Sequence, residues 1–373
     1  MRKGYPLLLI FLASFVIYLS GCSNPSGGGV STGWQITTVD NTAANVGEFT
    51  SLALDASGNP HISYYDRTNG YIKYASFNGS SWSIVIVDNV AISEKGYTSI
   101  ALDASGNPHI CYYNGINDEL RYVSWEGSSW NMITIESVGS NGGYTSLALG
   151  SDNKPRVSYY NSNAGKVTYA SLEGSSWNIA SIESCGSGWT SLALDTNGNP
   201  YISYYGSLAS MKYASWEAAS STWKIGMVDE GGVSKDRGNY SSIALNSSGF
   251  PGISYWDQVS FEALKYAEWT GATWEIEVLE SSGPSAQLTT SLAFTASDEP
   301  RITYYKDNSQ ALRYASKTGL TWEYTTVDGG GAAAGVGGQY SSLVLDASGN
   351  PHISYYFSND GSLRYARWVP LSP

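Results

Sequence analysis

The chain has 373 residues, among them 29 Tyr, 13 Trp and 41 Gly, with only 14% charged side chains and a formal charge of −12. Tyr and Trp suit pleated, half-buried strands and Gly supplies tight turns, while the periodic Glu/Lys/Leu/Ala runs of a helical bundle are absent. The acidic balance excludes the clustered Lys and Arg on which nucleic-acid binding depends.

The first 22 residues, MRKGYPLLLIFLASFVIYLSGC, place Arg2 and Lys3 before an apolar stretch from Pro6 to Leu19 that ends in small residues. That is the layout of a bacterial secretion signal. Its tail, Leu19-Ser20-Gly21-Cys22, resembles the lipobox of bacterial lipoproteins. The resemblance implies a signal peptide at 1–21, cleavage before Cys22 and a diacylglycerol on its sulfur; Ser23 in the next position then implies the outer membrane or cell surface. Residues 22–33, rich in Gly and Ser, read as a flexible tether. Cleavage removes two cations and no acid, so the domain beyond would be repelled by anionic headgroups. The expected membrane contact is therefore the lipid alone, whose several acyl chains suffice for stable attachment.

From residue 34 to the end the chain repeats itself. The twelve residues LDASGNPHISYY occur at 54–65 and again at 345–356, and once more at 102–113 with Cys111 in place of Ser. A Trp followed by alternating apolar residues and an acid recurs at Trp34, Trp82, Trp130, Trp177, Trp223, Trp274 and Trp322, 46 to 51 residues apart. Each unit adds three more period-2 segments, in the first FTSLALD (49–55), HISYY (61–65) and YIKYAS (71–76). Four short strands per repeat of this length predict an all-β, seven-bladed β-propeller of four antiparallel strands per blade, occupying 34–373. The SLALD-type strand is expected innermost and the Trp strand outermost. The last unit has no Trp strand after it and Trp34–Asp40 has no blade before it, so that leading strand is expected to close the ring. Asp55, Gly58 and Pro60 supply the chemistry of a tight turn between the first two strands, not of a calcium loop, which needs several carboxylates.

The turns before the Trp, SFNGSSW (76–82), SWEGSSW (124–130), SLEGSSW (171–177) and SKTGLTW (316–322), resemble degenerate forms of the Asp-box of BNR/sialidase-type propellers. The Asp is replaced by Asn78, Glu126, Glu173 or Thr318. The resemblance implies a fold, since the Asp-box is itself a folding element. Sialidases of that fold work with an Arg triad, a Tyr–Glu pair and an acid Asp. In this chain Arg121, Arg313 and Arg364 share one repeat slot with Lys73, Lys212 and Lys265. Equivalent slots point outwards around a ring and do not converge on one carboxylate; pairing with carboxylates of the outer strand, of small value at a surface, is the expected role.

His61, His109 and His352 likewise occupy one slot, in blades one, two and seven, where the other blades carry Arg156, Tyr201, Gly252 and Arg301. Equivalent atoms of neighbouring blades lie on the order of 10 Å apart, whereas a zinc site needs its nitrogens about 2 Å from one ion. No metal, cofactor or nucleophilic triad is expected, nor a disulfide between Cys111 and Cys185.

The segments that vary between units are the blade-to-blade loops and the loops between second and third strands, which antiparallel order places on one face. There each inner strand is expected to begin with an aromatic residue, Phe49, Tyr97, Tyr144, Trp189, Tyr240 or Tyr340, with Thr289 as the exception. Asp66, Asn114, Asn161 and Asp257 follow the Tyr-Tyr and Tyr-Trp pairs nearby. Aromatic planes beside carboxylates and amides suit sugar recognition. The expectation is a monomeric, exported, lipid-anchored binding scaffold for a glycan or an extracellular protein; the competing expectation is a sialidase-like glycoside hydrolase.

Overall fold

A computed structural model describes residues 32–90, 96–140, 142–185, 188–230, 237–258, 263–281, 289–306, 309–329 and 337–370. The lipobox and Cys22 lie outside them. Twenty-eight strands, from β1 (Thr32–Asp40) to β28 (Ser362–Pro370), form seven four-stranded antiparallel sheets. Blade one runs β2 (Val46–Leu54), β3 (Pro60–Asp66), β4 (Tyr71–Phe77) and β5 (Trp82–Asn89) from the axis outwards, and the other blades repeat this order. In blade seven the outer strand is β1, which pairs with β28 from Thr32↔Pro370 to Asp40↔Leu363. The chain is thus a seven-bladed β-propeller closed by its first strand.

The repeated turn owes its shape to its first residue. Asp55 Oδ1 accepts the amides of Ser57 and Asn59, each at 2.8 Å, and Oδ2 accepts the Asn59 amide group at 2.9 Å. Gly58 takes a φ of 79°, which a side chain would resist. Asn78, in the Asp-box position, accepts the amides of Ser80 and Ser81 at 3.0 and 2.9 Å, as an Asp would.

Three contacts then join every blade to the next, and each spends one letter of the repeat. An inner strand is a sheet edge whose axis-facing N–H groups have no strand to pair with. The Ser of each inner strand accepts one of them from the next blade: Ser51 from Ile100 (3.1 Å), Ser99 from Leu147 (2.9 Å), and so round to Ser342 from Leu52 (3.1 Å). The hydroxyl just before that Ser meets the middle of the preceding blade's second strand, as in Thr98 with Ser63 (2.8 Å), Ser241 with Ser203 (2.9 Å) and Thr50 with Ser354 (2.8 Å). The Trp of each outer strand packs edge-on against the third-strand Tyr of the preceding blade, Trp130 on Tyr74 at 5.6 Å and Trp82 on Tyr365 at 5.6 Å.

The acid that ends each Trp strand makes a fourth link. It accepts the hydroxyl of the first Tyr of the following blade's pair, as in Tyr64 to Asp40 (2.7 Å), Tyr159 to Glu136 (2.6 Å), Tyr204 to Glu183 (2.6 Å) and Tyr355 to Asp328 (2.7 Å). The Lys/Arg slot points to the same acid: Lys73 reaches Asp40 at 3.1 Å, Lys265 reaches Asp229 at 2.9 Å and Arg364 reaches Asp328 at 2.8 Å. The expectation of near-worthless surface pairs is corrected here. These pairs cross from blade to blade, and Lys73, Asp40 and Lys265 are all buried, because the cation stem lies between two packed sheets.

Burial alone would push the Asp40 carboxyl up, but the Thr42 hydroxyl and amide, the Tyr64 hydroxyl and the Lys73 ammonium together hold it below its ordinary value. A carboxylate with a lowered folded pKa stabilises the fold above the unfolded value of about 3.9 and loses that contribution as pH falls. The substitution Tyr64→Phe removes one donor to this buried charge. It is expected to destabilise by about 1.5–3 kcal/mol at pH 7, and by less below about pH 4, in urea unfolding at the two pH values.

Cys111 and Cys185 are free thiols. Cys111 stands where the other blades have Ser or Thr and receives the Thr145 hydroxyl at 3.1 Å. Burial pushes both thiols up to about 12, and it is the thiolate that reacts. A chain starting at Thr32 is expected to leave both cysteines unmodified by Ellman's reagent at pH 8 until denaturant is added; fast reaction of Cys111 in the native state would contradict the buried pairing.

Candidate functional site

The second strands run from the tight turns towards the loop face and the inner strands run back, so the start of each inner strand lies at the mouth of the axial channel. Inner strands differ there in length. β2, β18 (Arg237–Leu245) and β26 (Gly337–Leu345) have nine residues, whereas β6 (Thr98–Leu102), β14 (Thr190–Leu194) and β22 (Thr290–Phe294) have five. The long strands slip register against their partners just before the repeated Ser, between Glu48 and Ser51, Asn239 and Ser242, and Gln339 and Ser342. At those bulges Phe49, Tyr240 and Tyr340 take φ of 52°, 53° and 54°, and Tyr144 takes 50° in blade three. A left-handed aromatic residue is uncommon; a bulge that holds one re-aims its side chain.

The re-aimed rings form a continuous arc around the axis. Centroid separations run Tyr340–Phe49 4.3 Å, Phe49–Tyr97 4.4 Å, Tyr97–Tyr144 4.2 Å, Tyr144–Trp189 4.3 Å and Trp189–Tyr240 3.7 Å. All six are half-buried. Burial first, then the hydroxyl of Tyr144 and the nearby Tyr240 and Tyr340, push the Tyr97 phenol well above its ordinary value. Blade six breaks the arc with Thr289, whose hydroxyl accepts the Ser341 amide at 3.2 Å. Under the arc lies a cavity of about 160 Å³ lined by Phe49, Tyr97, Trp189, Tyr240, Tyr340 and Thr289, with the Thr and Ser of the next position below. The sequence-predicted aromatic residues are therefore brought together, Tyr144 supporting the others from outside the cavity lining.

The four polar residues expected beside them are not. Asp66, Asn114, Asn161 and Asp257 are all buried at the ends of second strands. Asp66 accepts from Asn69 and pairs with Lys73 at 3.0 Å; Asn114 accepts the Ile116 amide and Asn161 the Ala164 amide, both within their own loop; Asp257 pairs with Lys265 at 2.6 Å. The oxygens of Asp66, Asn114 and Asn161 turn into the blade because the loop between second and third strands needs its amides capped. Those three hold their loops, Asp257 holds Lys265, and none of the four lines the cavity.

The same mouth holds a residue that the repeat pattern passed over. Glu48, next to Phe49, is 4% exposed, with Arg67 Nη1 at 3.5 Å from Oε1 and no partner for Oε2 among the described residues. Burial, offset only in part by Arg67, raises its pKa. Its single sequence signal is an acid in a slot that is Gly96, Gly143, Gly188, Asn239, Leu288 and Gln339 in the other blades.

On the opposite face each His bonds the Tyr of its own third strand and approaches its own turn, His61 Nε2 lying 3.8 Å from Asp55. Among the described residues no group of His, Cys, Asp and Glu has the geometry of a metal site.

No protein-family model matches the chain, and no curated protein matches it in sequence. Among solved structures it is similar to AofleA from Arthrobotrys oligospora, at 14% identity over 82% of this chain and 92% of that one, with a TM-score of 0.54. It is similar to the fucose-specific lectin from Aleuria aurantia at 18% identity, covering 80% and 99%, with a TM-score of 0.52. An ulvan lyase, a polysaccharide lyase solved with -[GlcA(1-4)Rha3S]- bound, matches at 13% identity over 88% and 93%, with a TM-score of 0.57. At such identities the likeness is one of fold.

The Gly slot has a steric reason. A Cβ on Gly96 would lie 2.1 Å from the buried Tyr65 ring of the first blade. Gly96→Ala is therefore expected to lower stability by about 1–3 kcal/mol in urea unfolding, as overpacking does; no change would mean that the packing there is loose.

Proposed function

We propose that this propeller is a glycan-binding protein held at a bacterial surface by a lipid on Cys22, with its mouth face as the binding face. The observation that carries the reading is the arc of six aromatic rings over an axial cavity, held by left-handed backbone at four of them. Backbone strain persists where the surrounding structure over-determines it, and such positions cluster at ligand sites. Aromatic planes cover the C–H faces of sugars, and Tyr hydroxyls at the ring tips meet sugar hydroxyls. Support also comes from the fold, which this chain shares with a fucose-specific lectin and a polysaccharide lyase.

The topology suits display. β1 starts on the face of the tight turns and ends at the mouth, where Asp40 meets Tyr64. A tether before Thr32 thus leaves from the face opposite the arc and presents the arc away from the membrane. Catalysis is not part of this reading: the Lys/Arg slot is spent in blade-to-blade pairs, as at Lys73, Lys265 and Arg364, and the histidines lie at the other face.

A printed glycan array tests it. The chain starting at Thr32 is expected to bind at least one class of saccharide, and Trp189→Ala, which removes the ring touching both Tyr144 and Tyr240, is expected to lose it while still unfolding cooperatively. A blank array overturns glycan binding, and turnover of a fluorogenic sialoside or of a polyuronate overturns the non-catalytic part.

A further inference from the structure

The rim of the mouth is closed by rings everywhere but at one blade. From Tyr340 through Phe49, Tyr97, Tyr144 and Trp189 to Tyr240 each ring packs on the next. The step from Tyr240 back to Tyr340 crosses blade six, where the small Thr289 stands. Thr289 lines the axial cavity, is partly exposed, and its hydroxyl accepts the Ser341 amide at 3.2 Å. The rings that line the cavity also keep part of their surface exposed, so solvent reaches it. Neighbouring rings stand 3.7 to 4.4 Å apart between centroids, which leaves no room for a ligand between any two of them. The space open to a ligand is therefore on the axis, and a chain has one axis.

What that space can hold follows from its size and its lining. Pockets for drug-sized ligands measure about 300–1,000 Å³, so a cavity of about 160 Å³ takes a single small ring. Among the described residues no Asp, Glu, Lys, Arg or His lines it. The floor hydroxyls are engaged with the blades themselves, Thr50 donating to Ser354 at 2.8 Å, Thr98 to the Phe49 carbonyl at 2.9 Å and Thr145 to Cys111 at 3.1 Å. An ionised ligand group would leave water here without a counter-charge, at a high free-energy cost. A glycan chain crossing the mouth would need two breaks in the rim, and the rim has one. We propose that the cavity takes one neutral sugar residue at the end of a glycan, entering on the side of blade six, and that Thr289 determines this specificity by leaving the rim open there. The assignment rests on the glycan-binding reading and deepens it: the ligand is neutral, is held by its terminal residue and binds once per chain.

The test uses the chain starting at Thr32 and the variant Thr289→Tyr, which puts a seventh ring into the gap. Binding of the strongest arrayed saccharide is read by calorimetry, and folding by thermal unfolding. The wild-type protein is expected to bind one neutral saccharide per chain. The methyl glycoside of its terminal residue is expected to compete, and a sialic acid added to that residue is expected to abolish binding. Thr289→Tyr is expected to unfold cooperatively and to bind roughly tenfold more weakly or worse, a loss of about 1.4 kcal/mol or more. Undiminished binding by the folded variant, several ligands per chain, a preference for charged saccharides, or failure of the monosaccharide to compete would each overturn the assignment while leaving glycan binding intact. Should the variant not fold, the stoichiometry and the two competition results on the wild-type chain decide. A wild-type chain that binds nothing on the array removes both readings.

Discussion

The contact on which the rest depends is small: one serine hydroxyl per blade accepting one backbone N–H of the next. An inner strand has no sheet partner on its axial side, so its amides there would be orphaned. The Ser in Ser51, Ser99 and Ser342 turns that liability into a seam. The last stitch, Ser342 to Leu52, joins residues 290 apart in sequence, between the first blade and the blade whose outer strand is β1. A propeller without it would be a curved solenoid with two open ends.

The proposed binding face sits where the seam ends. Below the repeated Ser all blades are nearly alike; above it their inner strands diverge in length, and the bulges of the long ones swing Phe49, Tyr240 and Tyr340 towards the axis. A uniform scaffold thus carries an irregular mouth. The gap at Thr289 and the carboxylate at Glu48 make that mouth directional.

Most of the architecture is legible in the sequence because each blade-to-blade contact needs the same letter in every repeat. The Trp spacing predicts the blades, and the orphan Trp34 strand predicts closure. The aromatic residues before the inner strands are legible for the same reason. Asp66, Asn114, Asn161 and Asp257 mislead because an acid or amide after a strand looks alike whether it caps its own loop or faces a ligand; only the turn geometry separates the two. The Lys/Arg slot is visible as a slot, but its partner lies one blade away, so burial of the pair is not. Glu48 is the opposite case. One acid in a slot that varies between Gly, Asn, Leu and Gln carries no periodic signal; a side chain stands there beside the bulge at Gly47, whose φ is 114°, where Gly96 admits none.

The central claim is that the seven blades are one cooperative ring, sealed by β1. Native-state hydrogen exchange of the stitched amides, those of Leu52, Ile100, Leu147, Leu192, Ile243, Leu292 and Leu343, tests it directly by comparing the chain starting at Thr32 with one starting at Thr42. A sealed ring predicts that all seven exchange together through global unfolding in the longer chain and that all seven lose protection in the shorter one. Protection kept in blades two to six, with loss confined to blade seven and Leu52, would show blades standing independently and would contradict it.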